Sequence, residues 1–130
     1  MTKHFVLLVA ILFADPSISC VSPRGGAEYD QLIQLEKLDA KNQYKVTVPK
    51  KLENLKKAEI TLTYSEAHSG GILEYVTSEV LKAKPMGKNL TAKFTVEKRD
   101  RGKPHVVVMW WPKTCCPCGI RANTKFLEVE

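Results

Sequence analysis

The chain has 130 residues, 44% of them hydrophobic and 26% charged, with a formal charge of +6 at neutral pH. These values exclude a disordered polyelectrolyte, a collagen-like repeat and a chain of several domains. The basic balance suits solubility or an anionic partner, and the four cysteines gain meaning once a compartment is assigned.

Taken from the start, Met-Thr-Lys-His leads into the uncharged apolar run FVLLVAILFA (5–14). A basic start, a short apolar core and the small residues Ser17 and Ser19 predict a secretory signal peptide. The run is shorter than the roughly 20 residues that span a bilayer, and no later stretch reaches that length, so no transmembrane segment is expected. Residues 1–19 are assigned to the signal and 20–130 to a single secreted, extracellular domain, long enough to bury a real core. Lipid attachment at Cys20 is the competing possibility, and Ser17 stands where it would call for an apolar residue such as Leu.

After the lead-in VSPRGG (21–26), residues 27–38 (AEYDQLIQLEKL) suit either a first strand or a short helix. Three segments then alternate with period two, which places apolar and polar side chains on opposite faces of a strand. QYKVTV (43–48) opposes Tyr44, Val46 and Val48 to Gln43, Lys45 and Thr47. EITLTY (59–64) and LTAKFTVE (90–97) follow the same rule, with Ile60, Leu62 and Tyr64, then Leu90, Ala92, Phe94 and Val96, on the apolar side. KKLENLKKA (50–58) is expected as a charged loop or one helical turn, and GILEYVTSEVL (71–81) as a strand rich in β-branched and aromatic residues. HVVVMWW (105–111) is apolar on both faces, as in a central strand covered twice or one whose outer face meets a partner. TKFLEVE (124–130) is a shorter candidate strand. HSGG (68–71) and RDRGK (99–103) are expected to close antiparallel hairpins.

Five to seven short strands with turns between them predict an all-β fold, an antiparallel β-sandwich with a C-terminal disulfide cluster. In strand count it resembles immunoglobulin and fibronectin type III domains, although the Cys…Trp…Cys spacing of true immunoglobulin domains is absent.

Four cysteines in a secreted chain form two disulfides in one of three ways. Bridged Cα atoms sit about 4.4–6.8 Å apart, whereas chain neighbours are about 3.8 Å apart, so Cys115–Cys116 is strained. Cys116–Cys118 must close around Pro117 and is also tight. The least strained set is Cys115–Cys118 with Cys20–Cys116, and the second bond would tie down the mature N-terminus, worth at most roughly 4–5 kcal/mol in the chain-entropy model. A redox role for CCPC (115–118) lacks a following helix to lower a thiol pKa. A metal role gathers Cys115, Cys116 and Cys118 with His105 or His68, but lacks the second ligand pair of a structural zinc site.

Trp110 and Trp111 are strand neighbours, so one faces the core and the other is covered by a loop or exposed as a binding anchor. Asn89 opens the sequon NLT (89–91), placed for glycosylation. The basic residues Lys50, Lys51, Lys56, Lys57, Lys82, Lys84, Lys88, Lys98, Arg99, Arg101 and Lys103 would meet extracellular polyanions or an anionic cell surface, rather than nucleic acid, if they converge. His68 and His105 stand alone, Ser65 and Ser69 are placed in a turn without a nucleophile elbow, and no phosphate loop appears, so no enzyme, cofactor or metal is assigned.

The expected function is a small secreted, disulfide-stabilised binding protein acting on an extracellular protein or glycan. Its contacts are placed on loops 66–71 and 98–104, with His68, Arg99 and Arg101, and on whichever of Trp110 or Trp111 faces outward. The alternatives are a gland-secreted effector or venom-type toxin acting on a cell surface or channel, and an extracellular metal-binding protein using the cysteine cluster.

Overall fold

A computed structural model describes residues 24–112 and 119–130. Residues 1–19, expected as a signal peptide, and Cys20, Cys115, Cys116 and Cys118 lie outside the described residues, and so do both expected disulfides. Among the described residues no helix is long and apolar enough to cross a membrane.

Among the described residues a short helix α1 (Ala27–Asp30) precedes eight strands in two antiparallel sheets. The first sheet holds β1 (Gln34–Lys37), β2 (Gln43–Pro49), β6 (Asn89–Thr95) and β5 (Lys84–Met86), in that order. The second holds β4 (Leu73–Val80), β3 (Lys57–Ala67), β7 (Lys103–Trp111) and β8 (Ile120–Asn123), in that order. Both candidate states of residues 27–38 are thus realised, one after the other.

The core follows from the alternation. Tyr44, Val46, Val48, Ala92 and Phe94 face inward from the first sheet, and Ile60, Leu62, Tyr64, Val106, Val108, Trp110, Ile120 and Ala122 face them from the second. Tyr44 and Phe94, cross-strand partners, stack with ring centroids 5.9 Å apart. Polar ends of core side chains tie the sheets together. Trp110 Nε1 donates to the Pro49 carbonyl at 2.8 Å, and the Glu97 amide donates to the Tyr64 hydroxyl at 2.8 Å. Each bond satisfies a group that burial would otherwise strip of water.

Three sequence expectations need correction. RDRGK does not close a hairpin: β6 pairs with β2 and β5, while β7 pairs with β3 and β8, so residues 96–102 cross from one sheet to the other. Local turn chemistry reports a reversal and not which sheet the next strand joins. TKFLEVE is not a strand. The last strand, β8, lies earlier, and the tail keeps single bonds from the Thr124 amide to the Val106 carbonyl and from the Leu127 amide to the Pro104 carbonyl. It then reaches the first sheet, where the Tyr44 hydroxyl donates to the Glu128 carbonyl at 2.7 Å and the Glu130 amide donates to Asn42 Oδ1 at 2.8 Å. A segment bridging two sheets cannot keep a ladder with either. Ser65, expected in a turn, lies inside β3.

β5 was not foreseen. Pro85 lacks an amide donor, which confines such a strand to a sheet edge, and β5 is an edge. Its hairpin to β6 turns at Gly87, φ 62°, the glycine-first pattern of a type II′ turn.

Candidate functional site

The outer face of the second sheet, turned away from the core, carries the most unusual chemistry. On it lie Thr63 and Ser65 from β3, His105 and Val107 from β7, Tyr75 from β4 and Asn123 from β8. Thr63, Ser65, His105 and Val107 are buried there, His105 at only 1% exposure. Polar residues on a face away from the core are ordinarily wet, so their burial marks a built floor.

Ser65 Oγ and His105 Nε2 are hydrogen-bonded at 2.7 Å. The imidazole sits between two aromatic edges, Tyr75 at 6.0 Å and Phe126 at 5.6 Å between centroids. Burial pushes the His105 pKa below its ordinary 6.5, so the ring is neutral at physiological pH. His105 Nδ1 and Asn123 Oδ1 are both buried without a hydrogen-bond partner among the described residues. Asn123 is the cross-strand partner of Val107, which puts it diagonal to His105 on the same face. An orphaned buried polar atom costs about 1–3 kcal/mol, so two on one face call for an explanation.

Beside this floor, at its Asn123 and Tyr75 side, a hollow of about 410 Å³ is lined by Gly71, Leu73, Tyr75, Arg121 and Asn123. Tyr75 is 44% exposed and Phe126 38%. The arrangement offers one aromatic wall, one guanidinium and an amide, all converging on a shallow open site. Ser65 and His105 have the contact of a nucleophile and its base, but a triad needs a carboxylate on the other ring nitrogen, and none is bonded there among the described residues.

The loops named from sequence meet beside this face. Arg101 Nε and a terminal guanidinium nitrogen each donate to Glu66 at 2.9 Å, joining the crossover loop to the end of β3. The Arg101 hydrogen bonds hold the Glu66 carboxyl below its usual range, and Glu66 in turn raises Arg101. His68 Nε2 donates to Glu74 Oε2 at 2.7 Å. Arg99 lies over the Tyr64 ring, 3.8 Å from its centroid, and donates to Thr77 at 2.7 Å. His68, Arg99 and Arg101 therefore share one end of the molecule.

The tryptophans lie toward the opposite end. Trp110 is fully buried in the core, and Trp111 is the one on the outer face, half-buried. Asn89 is at that end too, at the start of β6, beside Lys50, Lys51 and Lys88 around a second depression. No family model, curated protein or solved structure matches this chain.

Sequence inspection missed Ser65 with His105, and Tyr75, Phe126 and Asn123. Each sits in a different segment. The one signal was HVVVMWW, whose apolar character on both faces announced an unusual outer surface.

Proposed function

We propose a small secreted, disulfide-stabilised binding protein that engages an extracellular ligand through the hollow lined by Tyr75, Arg121 and Asn123. The carrying observation is Asn123 Oδ1, a buried atom without a hydrogen-bond partner among the described residues, on a residue that lines a hollow walled by Tyr75. A ligand hydroxyl donates as well as accepts, so it satisfies Asn123 Oδ1. Exposed Tyr75 supplies an apolar platform for a ring. Together these favour a glycan over a protein surface. The test is a glycan array run with wild type and with Tyr75→Ala and Asn123→Leu. Specific binding lost in both variants, with unchanged circular dichroism, supports the proposal, and binding indifferent to both overturns it.

The strand order supports an immunoglobulin-like architecture, with β1-β2-β6-β5 corresponding to strands A-B-E-D and β4-β3-β7-β8 to C′-C-F-G. The proposed Cys20–Cys116 bond has support from the neighbouring backbone. Arg24 and Ile120 form a parallel bridge, its bonds 2.9 and 2.7 Å long, so the first described residue of the chain runs beside β8. Peptide mapping of the unreduced secreted protein should recover Cys20 linked to Cys116, and four free thiols would remove the disulfide proposal.

A second role rests on Lys50, Lys51 and Lys88, which converge beside Asn89. This end suits an anionic cell surface. Heparin affinity that survives triple substitution of these lysines to Gln would refute it.

A further inference from the structure

The far end of the β3–β4 hairpin holds a second cluster, on the opposite side of β4 from Tyr75. Glu66 and Glu74 are direct cross-strand partners, and His68 follows two residues after Glu66. One ligand atom from each of Glu66, His68 and Glu74 lies within 4.8 Å of the others. We infer that these three side chains form a binding site for a divalent transition ion of the Zn²⁺ type, with Arg101 as its outer support.

Three independent features carry this. The first is charge. Two carboxylates directly opposite in a ladder repel one another. Arg101 compensates one of them through its paired hydrogen bonds to Glu66. The Glu74 carboxylate has no such guanidinium partner among the described residues and is met by the His68 imidazole. A dication placed between the carboxylates removes the repulsion that the register imposes.

The second is ligand chemistry. One imidazole with two carboxylates suits Zn²⁺ or Cu²⁺, whereas Ca²⁺ and Mg²⁺ require oxygen ligands alone. Around a tetrahedral ion with bonds of about 2.0–2.1 Å, ligand atoms sit roughly 3.3 Å apart. His68 Nε2 and Glu74 Oε2 are already 2.7 Å apart. The imidazole gives up its Nε2 proton or carries it on Nδ1, and a small side-chain rotation then opens the gap for the ion. Three protein ligands leave a coordination position for water or for a donor from a bound partner.

The third is support. Ligating carboxylates are themselves hydrogen-bonded in metal sites, which fixes their orientation. Arg101 donates to both oxygens of Glu66 at 2.9 Å, and each carboxylate oxygen keeps a further lone pair for an ion. Glu66 is the least exposed member, with 29% of its side chain accessible. His68 and Glu74 are about half exposed, so both are free to make that rotation and an ion reaches them from solvent.

The experiment is calorimetric titration of the full secreted protein with ZnCl₂ at neutral pH, after alkylation of any free thiol. Wild type should bind one equivalent. His68→Ala and Glu74→Gln should abolish it, and Arg101→Ala should weaken it by about 10- to 100-fold. CaCl₂ and MgCl₂ should give no heat of binding. The substituted side chains are surface groups, and circular dichroism confirms that each variant is folded. Absence of Zn²⁺ binding overturns the inference, and so does binding that survives His68→Ala and Glu74→Gln. In the latter case NMR shifts of His105 or of the cysteine segment would show where the ion sits instead.

Discussion

Replacing Trp110 by Phe tests whether one indole holds the two sheets in place. Trp110 is fully buried on β7, and its Nε1 donates to the carbonyl of Pro49 on β2, in the other sheet. The substitution removes that donor and leaves the carbonyl unpaired in the interior, which costs about 1–3 kcal/mol. It also removes a few ring atoms, and a residual cavity of roughly 40 Å³ at about 24 cal/mol per Å³ adds about 1 kcal/mol. The sum is about 2–4 kcal/mol, a large part of the 5–15 kcal/mol typical of a domain. Urea denaturation followed by circular dichroism should show the midpoint falling with the slope unchanged. Trp111→Phe, at the half-buried outer position, should shift stability by less than about 0.5 kcal/mol. Fluorescence gives a second check: the Trp111→Phe protein should keep a blue-shifted emission from its buried indole. Equal losses from both variants, or a loss under about 0.5 kcal/mol for Trp110→Phe, would refute the inter-sheet role.

Two further outcomes follow from the same structure. A Cβ at Gly119 would lie 2.5 Å from the Trp110 carbonyl oxygen, a backbone atom with little room to move, so Gly119→Ala should lower stability by about 1–3 kcal/mol in the same assay. His105 is kept neutral by burial, under Tyr75 and Phe126, with Lys103 lying 5.9 Å from the Phe126 ring. Its folded pKa lies below the ordinary 6.5, so the unfolded chain binds the extra proton first. Stability is therefore level in pH above that value and declines as pH falls beneath it. Glu66, held under its ordinary 4.5, adds its own loss only at lower pH. The slope between about pH 5 and 6.5 should vanish in His105→Asn, and an unchanged slope would assign it to another group.

Much of the strand content was legible, because period-two alternation is a local property. Tyr44, Val46 and Val48 declare one face of β2 within six residues, and Ile60, Leu62 and Tyr64 do so for β3. The hollow and the Glu66–His68–Glu74 cluster were far less legible. His68 stood out as an isolated histidine, yet its partner Glu74 is chosen by the register of the β3–β4 ladder, which shifts between Tyr64 and Ser65. Arg101 was singled out for its charge, and nothing near it in the chain points to Glu66.

The sequence by itself determined which side chains each strand shows to its two faces, because the pleat turns successive residues in opposite directions whatever the neighbours are. Only the tertiary structure decided that residues 96–102 change sheets, that Ser65 meets His105 from 40 residues away, and that the tail lays Phe126 over the pair. Such partners depend on how two sheets are stacked and how their ladders are registered, and no stretch of neighbouring residues carries that information.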